Sequence, residues 1–454
     1  MKRVLCLCLC LLLLACVPTP SEEAIVNKSD GSMIGAISAP KAETARYEAP
    51  ARWEETLSLK NLTIRFDTDI VLPEGNTYPV QTIQRHAFTP EDVLNLLNAC
   101  FSAPFEIRKN RYSMSEIEED IRLLLRGNLV DSDDETGEVV WEPFSEEPEE
   151  LKELKEQMAQ CPAEDTFVPL EPELLQYSNE YTVIRDADGR MLYLLYGKNT
   201  LRIDTARMAE VQNEATVYQG GFIGEPWHKT LNRVAIPEET VRETADRFLS
   251  KAALGDQFGI GYIEKARTAR ATAEAPYYEE LSEGYLLHLA RSGGGYIPYP
   301  QGGGYFNEDS VSAMYRSLTE ADFRQRWSMD WIMAYVTENG IESVAWYDPN
   351  EYVQEANENV VLMPFDEIQK HIRDTLKFCY SWTDDKSSGY RSGEIEVKKI
   401  ILSCSISRLP NQPDEAVLAP TWVVVYQNSR YKTALKHDSI LLINALDGSF
   451  QHAI

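Results

Sequence analysis

Eight cysteines and six histidines are the residues best suited to metal, redox or nucleophilic chemistry in this 454-residue chain. Four of the cysteines, Cys6, Cys8, Cys10 and Cys16, crowd into the leucine-rich stretch CLCLCLLLLAC. The stretch follows Lys2 and Arg3 and holds about a dozen apolar residues, where a bilayer-spanning helix needs about twenty. A short positive region and a short apolar run make a secretory signal segment. Leu13-Leu14-Ala15-Cys16 reads as a bacterial lipobox, in which Cys16 is diacylated and residues 1–15 are removed. Cys6, Cys8 and Cys10 then serve only as small hydrophobes, and Cys16 is a lipid anchor on the extracytoplasmic face of the cell membrane.

The other cysteines, Cys100, Cys161, Cys379 and Cys404, have no CxxC or Cys/His spacing that suits zinc. Outside the cytoplasm they either pair, with Cys379–Cys404 the more attractive bridge, or stay as buried thiols. None of His86, His228, His288, His371, His437 and His452 falls in an HExxH pattern. The chain contains no GxSxG nucleophile elbow. The acidic run DSDDETGE lacks the glycine and glutamate spacing of a calcium-binding EF-hand. The expectation is therefore a protein with no enzymatic activity, no metal and no cofactor. A hydrolase built on some carboxylate pair stays as an alternative, because carboxylates are too abundant for sequence to single out any two.

One segment stands out for binding. SGGGYIPYPQGGGYF places two GGGY units around Pro298 and Pro300, without the lysine of a phosphate loop. The composition predicts an exposed loop from Gly293 to Phe306, displaying Tyr296, Tyr299, Tyr305 and Phe306 to a partner. An idle connection between strands is the alternative.

The formal net charge of −28 becomes −30 once Lys2 and Arg3 leave with the signal segment. Such a charge opposes nucleic-acid binding, which needs Lys and Arg on phosphates, and limits membrane contact to the acyl anchor. Residues 16–50 read as a flexible tether. An N-terminal α+β domain is expected over 51–230, with an acidic insertion at 131–156 that sets twelve carboxylates against Lys152 and Lys155. α+β modules are expected over 231–350 and 351–454.

The elements that would position a site alternate between strand and helix. TLSLKNLTIRF alternates apolar residues as a half-buried strand does, and Asp188-Gly189 marks a hairpin turn. Ser115 with Glu118 fits a capping box ahead of Ile121, Leu124 and Leu125. FTPEDVLNLLNACF, AIPEETVRETADRFL and LMPFDEIQKHIRDTL share a proline, an acid two residues later and an apolar residue four residues later. Proline at a first helical position loses no hydrogen bond, and an acid in the first turn faces the positive end of the helix dipole. Helices are thus predicted from Pro90, Pro237 and Pro364. Strands led by Trp331 and Trp422 follow the second and third. The fold class predicted is α+β: tandem modules of one amphipathic helix on an antiparallel sheet.

PTWVVVYQNS with LLINALDGSF resembles the end of PepSY-type modules and of the YycH/YycI regulatory proteins. The chain as a whole resembles the uncharacterised multi-domain lipoproteins of low-GC Gram-positive bacteria. The likeness covers about the last ninety residues well and the middle loosely. It implies PepSY-like modules that are not catalytic and that regulate a partner. Those regulators are held by an uncleaved membrane helix, whereas this chain carries a lipobox. The function expected is binding or regulating a protein at the cell envelope; the alternative is a module that binds wall glycan or a secreted ligand.

Overall fold

The computed structural model describes residues 32–59, 62–132, 139–207, 210–213, 234, 236–272, 278–299, 329–381, 393–408, 415–428 and 438–453. Cys16, His228, Tyr305 and Phe306 lie outside these residues. Among the described residues, two large, mostly antiparallel sheets and six α-helices make an α+β architecture. The eight-stranded sheet runs β1 (Arg52–Leu59), β2 (Leu62–Val71), β17 (Gly393–Arg408), β18 (Glu415–Asn428), β19 (Asp438–Asn444) and β20 (Phe450–Ala453). In the same sheet β3 (Val80–Arg85) lies beside β18, and β16 (Asn350–Asn357) lies beside β3. Among the described strands of this sheet, only β2 and β17 pair in parallel.

The ten-stranded sheet begins with β11 (Glu210–Asn213), β12 (Phe258–Ala271), β13 (Tyr278–Arg291), β14 (Trp331–Thr337) and β15 (Gly340–Tyr347). It continues through β10 (Thr200–Asp204), β9 (Met191–Tyr196), β8 (Thr182–Arg185), β4 (Glu106–Arg108) and β7 (Phe167–Pro169). A separate hairpin joins β5 (Asn128–Ser132) to β6 (Val139–Glu142). The helices are α1 (Ser32–Ser38), α2 (Pro90–Cys100), α3 (Met114–Leu124), α4 (Glu149–Gln160), α5 (Glu238–Lys251) and α6 (Phe365–Ser381).

The proline-and-acid signature marks all three helix starts to within one residue. Pro90 opens α2, whose N-cap Thr89 forms a capping box with Asp92. Pro237 is the N-cap of α5, and Pro364 directly precedes α6. The capping box of α3 falls two residues earlier than expected, on Ser113 and Glu116. Both serine–glutamate spacings fit the motif; the buried Arg108 holds Glu116 at 2.7 Å and so selects the first.

Val241, Ala245, Phe248 and Leu249 of α5 share a core with Val93, Leu96 and Leu97 of α2, so both helices cover one face of the ten-stranded sheet. Ile368, Ile372 and Leu376 of α6 cover a face of the other. Downstream of α5 the described strands run β12-β13-β14-β15 in sequential antiparallel order, and downstream of α6 they run β17-β18-β19-β20. The tryptophans do not correspond. Trp331 starts the third strand after its helix, whereas Trp422 lies inside the second and is fully buried. Both sheets draw on distant parts of the chain: β1, β2 and β3 lie with 393–453, and β4 and β7–β11 lie with 258–347.

Two expectations about unstructured segments are overturned. Residues 32–50 of the supposed tether are docked on the eight-stranded sheet. Met33 is a core residue, and the side-chain amide of Asn357 donates to the carbonyls of Ile37 and Ala39, each at 3.0 Å. Fixation by side chain to backbone bonds leaves no hydrophobic period in the sequence, which is why the segment read as free.

The glycine–tyrosine segment is the second correction. Tyr296 is only 3% exposed, and its hydroxyl donates to the carbonyl of Pro79 at 3.0 Å. Ile297 and Tyr299 pack on Ile401, Val423, Val425 and Leu442 of the eight-stranded sheet, and the Ser403 hydroxyl donates to the Ile297 carbonyl at 2.7 Å. Far from displaying its rings, the chain from 293 to 299 fills the passage from one sheet to the other. Glycines are needed there for close approach: Gly294 has φ +76°, and a Cβ on it would sit 2.3 Å from the Pro79 ring. Gly294→Ala should lower stability by more than the roughly 1–2 kcal/mol of a left-handed alanine alone, read as a fall in the urea midpoint.

Beside this passage lies a buried ion pair. Arg291, at the end of β13, places Nε 2.5 Å from Oδ1 of Asp330 and Nη1 3.1 Å from Oε1 of Gln257. It also donates to the carbonyl of Asn350, the first residue of β16 in the other sheet, and lies over the Phe258 ring. Neither partner has more than 3% of its side chain exposed.

Candidate functional site

The residues with chemical potential gather on the face of the ten-stranded sheet that turns away from α2 and α5. Leu287, Leu289, Ile332, Ala334, Val344 and Trp346 point to the helices. Strand alternation sends their neighbours His288, Trp331 and Tyr347 to the other side. Tyr262 stands opposite His288 in the β12–β13 pairing, and Trp331 stands opposite Tyr347 in the β14–β15 pairing.

The outcome is a row of nearly parallel rings across four adjacent strands. Tyr262 stacks on His288 with centroids 4.0 Å apart and planes 17° apart. His288 and Trp331 lie 6.4 Å apart at 4°, and Trp331 stacks on Tyr347 at 4.9 Å and 23°. Tyr299 reaches the end of the row, 6.5 Å from Tyr262. Tyr262, Trp331 and Tyr347 are half-buried, while His288 is buried. The His288 Nε2 lies 2.6 Å from Oε1 of Glu264, and its Nδ1 has no hydrogen-bond partner among the described residues. The histidine is therefore held by its carboxylate and by the stacked ring above it, which fixes the middle of the row.

Further along the same face is a polar network. The buried Tyr335 hydroxyl donates to the Ser282 carbonyl at 2.8 Å, and the Ser282 hydroxyl donates to Glu342 at 2.8 Å. Burial raises the Tyr335 phenol far above its ordinary range, so it stays protonated and keeps its proton to donate. Ser282 and His288 are six residues apart on one strand, roughly 20 Å at the rise of a β-strand. The hydroxyl and the imidazole thus cannot work on one bond. On β10, Asp204 accepts from the Ser343 hydroxyl at 2.6 Å and pairs with Arg202 at 2.7 Å.

Of the described residues that the sequence singled out for binding, Tyr296 lies in the core and Tyr299 touches the ring row. Tyr262, His288, Trp331 and Tyr347 were not legible as a group. Their strands carry the signal of alternate aromatic positions, but only the register brings four separate strands' rings into line. Among the described residues no group of three or more His, Cys, Asp or Glu side chains could hold a metal ion.

Cys100, Cys161, Cys379 and Cys404 form no disulfide, so the attractive Cys379–Cys404 bridge is not made. Burial pushes the Cys404 thiol up to about 12 and raises Cys100 further. The thiolate is the reactive form, so neither should be alkylated by iodoacetamide in the native protein at pH 8, and both should react in guanidinium. Mass spectrometry of the labelled protein checks this.

No family model matches the sequence, and no curated protein matches it. A solved structure of an uncharacterized protein from Eubacterium rectale ATCC 33656 is similar at 10% identity, over 94% of this chain and 99% of that one, with a TM-score of 0.45.

Proposed function

We propose that this chain is a non-catalytic, lipid-anchored extracytoplasmic protein that binds a protein partner at the cell envelope through the ring row of Tyr262, Trp331 and Tyr347. The observation that carries the reading is that row, fixed at its middle by His288 and its bond to Glu264. Tryptophan and tyrosine offer large contact area with few rotatable bonds, and both are enriched among the residues that dominate interface energetics. The formal net charge of −28, which becomes −30 once Lys2 and Arg3 are removed, favours a basic complementary surface. The anchor rests on Leu13-Leu14-Ala15-Cys16. The PepSY-like reading of two units is supported by the shared order of one helix followed by a sequential antiparallel meander.

Trp331→Ala should weaken the complex by about 2 kcal/mol or more, roughly thirtyfold in Kd, while circular dichroism shows the fold retained. Cys16→Ser should move the protein from the membrane fraction to the medium. Continued membrane association at the mature mass would refute the anchor.

The parallel rings also favour a second reading, a wall glycan stacked by its apolar faces. Retention on purified peptidoglycan, lost in Trp331→Ala, would replace the protein partner with that ligand.

A further inference from the structure

We propose that residues 32–50 form a strap whose docking on the eight-stranded sheet halves the length of chain between the lipid anchor and the folded body. The inference rests on the reading of Cys16 as the anchor. The strap is held at three places. At its start Met33 is buried at 3% exposure, and the amide of the buried Asn444 lies 3.3 Å from its sulfur. In its middle, the amide of Asn357 donates to Ile37 and Ala39, and that of Asn359 donates to Ala42 at 3.1 Å and Glu43 at 3.2 Å. The Ala42 amide donates in turn to the Asn359 carbonyl at 2.9 Å. Near its end the Tyr47 hydroxyl donates to the Met363 carbonyl at 2.6 Å, and its ring lies 5.8 Å from Trp422.

Between these holds the strap is mostly exposed. Residues 38–46 are all exposed apart from the half-buried Ala42. The Lys41–Glu358 ion pair is solvent-exposed as well. The bonds from Asn357 and Asn359 are only half-buried, and a segment held at a few separate points opens locally before global unfolding. Docked, the strap leaves 17 residues from Cys16 to Met33, a span of at most about 60 Å at roughly 3.5 Å per residue. Released as far as Pro50, it leaves 34 residues, or at most about 120 Å. Opening therefore doubles the greatest height at which the body, and with it the ring row, can meet a partner above the membrane.

The test uses the lipidated protein on a supported bilayer, with neutron reflectometry to read how far the protein extends, and hydrogen exchange to read the strap. Met33→Asp with Tyr47→Ala alters the strap side alone; Asn357→Ala weakens the hold from the sheet side. In the wild type, amides of residues 37–47 that bond to the sheet should be protected, Ala42 above all. In both variants that protection should fall while strands β17–β19 keep theirs. The far edge of the protein layer should move outward, by at most about 60 Å, the extended length of the released chain. An unprotected wild-type strap, or variants that lose protection without moving the layer outward, would overturn the proposal. Failure of the protein to carry lipid at Cys16 would refute the anchor instead, and the exchange data would still report whether the strap is docked.

Discussion

Arg291→Met is expected to lower stability by about 3–5 kcal/mol, the range for breaking a buried ion pair by removing one partner. The side chain of Asp330 is fully buried, and without the guanidinium its charge has no counterpart at 2.5 Å. The same substitution removes donors from Gln257 and from the Asn350 carbonyl, so contact between the two sheets is weakened with it. Urea unfolding read by intrinsic fluorescence gives the value. The double variant Arg291→Met, Asp330→Leu should be more stable than Arg291→Met alone, because no lone charge is left inside. A double variant less stable than either single one would show that the pair is not coupled.

Tyr296→Ala is expected to cost about 3–5 kcal/mol, as truncation of buried aromatics does. Its ring is part of the core that contains Tyr78, Val80 and Leu418, and its hydroxyl is bound to Pro79. Tyr296→Phe keeps the packing and should cost about 1 kcal/mol, the net value of one hydrogen bond. Thermal and urea midpoints of the two variants separate the contributions. Indifference to Tyr296→Ala would restore the exposed loop that the composition alone implied.

The difference between those two outcomes shows where the sequence is informative. Local chemistry was legible: Pro90 with Asp92 and the Asp188-Gly189 turn define their own geometry through a first-turn proline and acid and through left-handed backbone. So was the helix-and-strand class, because the apolar periods of α2, α5 and α6 and of the strands are set by burial. What long-range contact decides was hidden. SGGGY has the composition of a mobile loop, yet its glycines are there so that the backbone can pass close to Pro79 and Gln81. The segment 32–50 has no apolar period because asparagines 357 and 359, more than three hundred residues away, hold its backbone. The ring row depends on strand register across β12, β13, β14 and β15, which no local pattern contains.

The ring row as a docking face is the central claim, and site-specific photo-crosslinking in intact producing cells tests it most directly. A photoreactive phenylalanine analogue at position 347 should give one discrete crosslinked protein, and the band should vanish when Trp331→Ala is added. The same analogue at Tyr352, an exposed position on β16 of the other sheet, should give none. Crosslinking that is equal at 347 and 352, or that survives Trp331→Ala unchanged, would contradict a partner bound on that face.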